Sequence, residues 1–209
     1  MRIAIIGAGN VGTALSKAAV AAGHSVSVSA TDRRKAVASA AQTGARVAEN
    51  NLDAVGEADI VVLAVPGSAV TAVADELASA VRGKVVVDLT NPLNATLTDL
   101  DIEETSAAQT LQRHLPDVPV VKAFNTILAA RLNNPVEQGI TLTAFYAGDD
   151  TEAKKTVSEL LASLGFRPID AGGLRMARAL EEMALLNISL NVGQGWSWQS
   201  AWALLGPTG

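Results

Sequence analysis

The sequence predicts a doubly wound α/β fold, a parallel sheet covered by helices on both faces. Short β-branched runs alternate with alanine-rich segments of helical period, the pattern of repeated strand–helix units. Residues 60–65 are apolar throughout, as in a strand buried on both faces. Glycines at positions 7, 9 and 12 mark the junction between the first strand-like run and the first helical one.

In chain order, residues 2–6 read as a strand feeding a helix over 11–22, and residues 25–29 as a second strand feeding a helix over 33–42. Residues 59–65 lead into a helix over 68–81, residues 84–89 run into a loop, and residues 118–122 run into the polar pair Asn125-Thr126. Right-handed crossovers then leave few topologies. Beyond about residue 135, a strand over 141–146, a helix over 151–164 with Gly165 in the C-cap position, and a strand over 166–170 follow. A long helix over 174–192 is broken by Gly193 and Gly195, and a tryptophan-bearing segment, 196–205, ends at Gly206-Pro207. The expected division is a nucleotide-binding domain at 1–135 and a small C-terminal strand/helix region at 136–209. The latter would complete the active site and supply a dimer interface.

Composition narrows the function. Of 209 residues, 49% are hydrophobic and 18% charged, as in ordinary globular proteins. The net charge of −5 and the lack of a basic run longer than Arg33-Arg34-Lys35 argue against nucleic acid as a partner. There are no cysteines and only two histidines, His24 and His114, so no metal site is expected. Arg2 and the apolar run after it imitate a signal peptide, but glycines interrupt the run. No segment approaches the ~20 apolar residues of a membrane span, so a cytoplasmic protein without a membrane partner is expected.

The stretch Ile6-Gly7-Ala8-Gly9-Asn10-Val11-Gly12 carries the most specific chemistry. The first glycine allows a tight turn out of the strand, the second lets a pyrophosphate approach the backbone, and the third lets the helix pack on the sheet. The helix N-terminus then offers unpaired N–H groups and the positive end of its dipole. In this strand–turn–helix context the motif is that of a Rossmann dinucleotide site, with Gly7, Gly9, Asn10, Val11 and Gly12 as cofactor-binding residues. The second strand runs into Thr31-Asp32-Arg33-Arg34, where an NAD site usually carries a single acid. A hydroxyl followed by guanidinium groups suits a 2′-phosphate, so Thr31, Arg33 and Arg34 point to NADP. Asp32 is discordant: it either caps the next helix or reaches the ribose and restores NAD. Ala64-Val65-Pro66 and Asn91 stand at strand ends on the carboxyl edge, where open α/β sheets bind ligands.

Four stretches carry a resemblance over nearly the whole chain: Gly7 to Gly12, Val121-Lys122-Ala123-Phe124-Asn125-Thr126, Ala147-Gly148-Asp149-Asp150 with Lys154-Lys155, and Gly165-Phe166-Arg167-Pro168-Ile169-Asp170-Ala171-Gly172-Gly173-Leu174. They resemble the F420-dependent NADP reductases, which pass hydride between NADPH and the deazaflavin coenzyme F420. The reductase domain of the STEAP metalloreductases is similar over the same motifs. The resemblance implies an NADP-dependent oxidoreductase with F420, or a flavin, as co-substrate. It places Asn91, Phe124, Asn125 and Thr126 near the nicotinamide and Ala64, Val65 and Pro66 along the cofactor cleft. Asp32 departs from the arginine that many relatives carry after the hydroxyl residue.

Hydride transfer needs two rings held at ~3–3.5 Å away from water rather than a nucleophile or a metal. His24 and His114 therefore read as helix-end residues and Asp149-Asp150 as a helix cap. Trp196, Trp198 and Trp202 form a stacking wall for a flat ring or an anchor for a homodimer, with plain core packing as a third reading. Other readings are an NADP(H) sensor without turnover, and a reductase of imine or keto substrates. The latter usually needs a larger helical second domain than the ~35 residues from Leu174 onward.

Overall fold

The computed structural model describes residues 1–102 and 105–206. Pro207, expected to close the tryptophan segment, lies outside the described residues. The elements run β1 (Arg2–Ile6), α1 (Asn10–Ala21), β2 (Ser25–Ser29), α2 (Arg33–Thr43), β3 (Arg46–Val47), α3 (Asn51–Val55), β4 (Ile60–Leu63), α4 (Val70–Leu77), β5 (Val85–Asp88), α5 (Ala107–His114) and β6 (Val120–Ala123). A small hairpin follows, β7 (Val136–Glu137) and β8 (Ile140–Thr141), then β9 (Thr143–Gly148), α6 (Thr151–Ser163), β10 (Arg167–Asp170) and α7 (Ala177–Gln194). Short 3₁₀ turns precede α4 and α7, so each helix begins later than its hydrophobic period suggests.

Eight strands form one sheet in the order β10-β9-β6-β5-β4-β1-β2-β3. β1 pairs in parallel with both β2 and β4, so the strand order reverses beside β1 and leaves a crevice at the carboxyl ends of β1 and β4. The alternation of Ile3 and Ile5 with Ala4 and Ile6 sends buried side chains to opposite faces. The first face packs on Leu15, Ala18 and Ala19 of α1 and Val157, Leu160 and Leu161 of α6. The second packs on Ala54 and Val55 of α3, Leu77 of α4, Leu111 of α5 and Ala177 of α7.

One strand departs from the expected parallel arrangement: β9 runs antiparallel to β6. The linking chain contains only a 3₁₀ turn and the β7–β8 hairpin, without the crossover helix that a parallel return uses. α6 supplies that crossover one step later, and β10 pairs in parallel with β9. The C-terminal strands thereby extend the sheet of the first half. Among the described residues, no helix is long and apolar enough to cross a membrane.

Candidate functional site

The three glycines of the first turn answer to different constraints. Gly7 leaves β1 at φ +117°, and a Cβ there would lie 2.2 Å from the carbonyl oxygen of Ala64. A Cβ on Gly12 would lie 2.0 Å from the carbonyl oxygen of Gly7. Gly9, the N-cap residue of α1, has ordinary extended backbone at φ −79°, and a Cβ there would meet nothing within 4 Å. The protein's own backbone thus requires glycine at 7 and 12, whereas Gly9 fronts open space. That space faces the start of α1, which has no side-chain cap and no acidic residue in its first turn. Uncapped N–H groups and the positive dipole end suit a diphosphate, and the residues present fit that group.

On one side of the turn lies a cleft of about 360 Å³, whose walls include Gly7, Gly9, Thr31, Asp32, Lys35, Ala64, Val65 and Pro66. The fold therefore brings Thr31 and the Ala64-Val65-Pro66 strand end to the glycine turn. Asp32 resolves as the N-cap of α2, accepting from the Arg34 N–H at 3.0 Å. Its carboxylate also pairs with the Arg34 guanidinium, at 3.1 Å from Nε and 3.0 Å from Nη2, and Arg34 holds that carboxyl below its ordinary range. Arg33 and Arg34 are exposed and outside the cleft lining, whereas Lys35 belongs to it. Lys35 escaped the sequence reading. The available signal was helical period, which puts Lys35 on nearly the opposite side of α2 from Arg33.

On the other side of the turn, Asn10 and Val11 open onto a larger, mostly apolar cleft of about 740 Å³. Its walls include Asn91, Asn125, Thr126, Ala184, Asn187 and Trp198, and none of its lining side chains titrates. Asn91 Nδ2 donates to the backbone oxygen of Asn125 at 2.9 Å, and Asn125 Nδ2 donates back to Asn91 Oδ1 at 3.0 Å. Asn125 Nδ2 also reaches the Leu180 carbonyl of α7 at 2.9 Å, which spends both its hydrogens. Asn125 Oδ1, Thr126 Oγ1 and Asn187 Nδ2 remain buried with no partner. Native proteins leave few such atoms unsatisfied, so three along one cleft fit a polar ligand edge. Phe124 does not line the cleft: its side chain lies in the core. Its backbone takes the left-handed region at φ +66°, turning the chain so that the next two residues face the cleft. Such conformations cost about 1–3 kcal/mol and persist where surrounding structure imposes them.

Beneath this cleft lies a buried charge cluster. Lys122 of β6 donates from Nζ to Asp88 Oδ2 at 2.9 Å, Glu181 Oε1 at 2.8 Å and the Thr90 carbonyl at 2.6 Å. All three charged side chains are fully buried. Asp88 Oδ1 accepts from the N–H and hydroxyl of Thr90, at 2.9 and 2.7 Å, and Glu181 Oε1 accepts from the Ala107 N–H at 3.1 Å. Burial pushes the Glu181 carboxyl up, against the pull of Lys122. The cluster fixes the loop that carries Asn91 and clamps α7 to β6. Sequence reasoning met Lys122 only inside a motif, because nothing local marks its partners.

The remaining candidates settle into structural roles. Asp150 caps α6 through the Ala153 N–H at 2.8 Å, and Asp149 accepts from the Leu174 N–H at 2.7 Å, capping the turn before α7. No group of potential metal ligands occurs among the described residues. His24 sits just past α1 against the N-terminal amine and Ser163, where burial and that amine's charge lower its pKa. His114, in the last turn of α5, bonds Asp75 at 2.8 Å. The tryptophans divide: Trp196 and Trp198 are both exposed, Trp198 at the wall of the larger cleft, and the Trp202 indole N–H is buried without a partner.

Residues 2–92 match the family model described as NADP oxidoreductase coenzyme F420-dependent. The chain is 34% identical over 210 residues to the F420-dependent NADP reductase of Methanothermobacter marburgensis, covering 92% of this chain and 93% of that one. It is 32% identical to the rat metalloreductase STEAP3 over 88% of this chain, which spans 36% of that longer protein. In structure it is similar to an Arthrobacter sp. FB24 protein named as a candidate F420-dependent NADP reductase. The TM-score is 0.86 at 28% identity, covering 98% of this chain and 100% of that one.

Proposed function

This chain belongs to the F420-dependent NADP reductase family, and we propose that it is an oxidoreductase moving hydride between NADP(H) and coenzyme F420. The observation that carries the reading is contiguity. The helix start that suits a diphosphate, at Asn10 and Val11, also forms one end of an apolar cleft with unpartnered polar atoms. That cleft, of about 740 Å³, is the space we assign to a nicotinamide and a second flat ring stacked face to face.

When bound, NADPH supplies the hydride and F420 accepts it. The protein's part is placement. Gly7, Gly9 and Gly12 shape the turn, with Asn10 and Val11, that receives the diphosphate. Thr31, Arg33 and Arg34 serve the 2′-phosphate, with Lys35 beside them. Ala64, Val65 and Pro66 line the path of the nucleotide, and Asn91, Asn125 and Thr126 hold the nicotinamide end, their backbone set by Phe124. An apolar, untitratable lining excludes water and leaves the barrier to be lowered by proximity.

Residues 1–135 form the nucleotide half, and residues 136–209 complete the cleft through α7 and Trp198. Leu186 and Leu190, one turn apart on α7 and exposed, suit a homodimer seam. An acidic chain with no membrane-spanning helix among the described residues suits a cytoplasmic enzyme that does not bind nucleic acid.

The test mixes the purified protein with NADPH and F420, and separately with FMN or FAD, following the loss of reduced-nicotinamide absorbance. Rapid oxidation with F420 supports the proposal. Nucleotide binding with no turnover of any acceptor would make the protein a sensor instead, and turnover with flavin alone would change the acceptor.

A further inference from the structure

Asn187 does two jobs with the two ends of one side chain. It stands on α7 in the wall of the larger cleft, 4% exposed. Its Oδ1 is committed to the protein, accepting from Ser200 Oγ at 2.5 Å and Asn191 Nδ2 at 3.2 Å. This orientation gives the Ser200 hydroxyl hydrogen an acceptor and keeps the Asn187 amide hydrogens away from Asn191 Nδ2, which can only donate and which also reaches the Asn187 backbone oxygen at 2.8 Å. Its Nδ2 is left buried without a partner. The oxygen's bonds are complete within the protein, and the nitrogen is the polar atom of this side chain left without one.

The oxygen's bonds lead to the tryptophan wall. Asn191 Nδ2 donates to Ser200 Oγ at 2.6 Å, and Asn191 Oδ1 accepts from the backbone N–H of Trp198 at 3.1 Å. Trp198 sits in the left-handed region at φ +60°, a conformation that its anchored backbone must enforce. One hydrogen-bonded chain therefore joins the free donor to the aromatic surface on the same cleft.

We propose that Asn187 is the specificity-determining residue for the hydride acceptor. Its Nδ2 donates to a carbonyl oxygen on the edge of a flat fused ring, while Trp198 lies against that ring's face. The ligand class is a heteroaromatic ring bearing ring carbonyls, such as the deazaflavin of F420. The inference rests on reading this cleft as the acceptor's site.

The test measures F420 affinity by fluorescence quenching and NADPH affinity in the same preparations, for wild type, Asn187→Leu and Ser200→Ala. The first substitution keeps the volume but removes the donor and the tether; the second removes only the tether. F420 binding should weaken about tenfold or more in Asn187→Leu and about threefold in Ser200→Ala, with altered tryptophan emission and NADPH affinity unchanged. If Asn187→Leu does not fold, Asn187→Asp at about pH 8 keeps the tether's acceptor and still removes the donor. Equal losses in the two variants, unaltered F420 affinity, or a loss of NADPH affinity in its place would overturn the assignment. A wild-type protein that binds NADPH but not F420 would overturn the reading of the cleft itself, and the role of Asn187 with it.

Discussion

Lys122 and Glu181, 59 residues apart in sequence, meet at 2.8 Å in the fully buried space beneath the larger cleft, and with Asp88 they hold three chain segments together. Two carboxylates share one ammonium there, which leaves the cluster dependent on Lys122.

Lys122→Met should therefore destabilise the protein by about 3–5 kcal/mol in urea denaturation, because two buried carboxylates lose their counter-charge. The Glu181 carboxyl, already pushed up by burial, would then lose the pull of Lys122 that opposes the rise. Its cost is full at high pH and relieved as pH falls through the raised folded value, so the variant should gain stability relative to wild type on acidification. The double variant Lys122→Met with Glu181→Gln should recover part of the loss. A single variant as stable as wild type would show that the cluster contributes nothing.

The glycine turn gives a contrast between neighbouring positions. Gly9→Val meets open space at ordinary φ, so the fold should survive with the melting temperature within a few degrees. NADPH affinity should fall by about 100-fold or more, because the side chain fills the room in front of α1. Gly7→Ala should instead cost several kcal/mol of stability, since its Cβ would lie 2.2 Å from a backbone oxygen at φ +117°. Calorimetry and nucleotide titration of both variants check the pair.

The bond between Asp32 and Arg34 makes a testable prediction about cofactor preference. Asp32→Asn keeps a good N-cap for α2 but frees the Arg34 guanidinium and removes a negative charge beside the 2′-phosphate position. NADPH should bind about threefold tighter or better, with little change for NADH. Replacing Arg33 and Arg34 together by Ala should weaken NADPH far more than NADH. Equal effects on both nucleotides would mean that these arginines are surface charges only.

Assembly is tested at α7. Leu186→Asp with Leu190→Asp puts two charges into the exposed apolar stripe, and sedimentation should shift from dimer to monomer. A protein that is monomeric before the change would remove the proposed seam.

The nucleotide turn could be read from sequence because its requirements are local. Gly7 turns the chain at φ +117° and Gly12 faces the Gly7 carbonyl within the turn itself, and strand, turn and helix follow one another within about a dozen residues. The alternation of apolar runs likewise specified the sheet's buried strands, since each run carries its own period. Tertiary structure alone decided what Lys122, Asp32 and Asn187 do. In the sequence Lys122 is one residue of a strand run and a motif, and its role appears only when β5 and α7 bring carboxylates to it. Asp32 was ambiguous until Arg34 folded back onto it, and nothing in the sequence singled out Asn187. The physical reason is common to all three: a charge or an amide acquires its role from its partner, and periodicity carries no information about a partner that only the folded chain delivers.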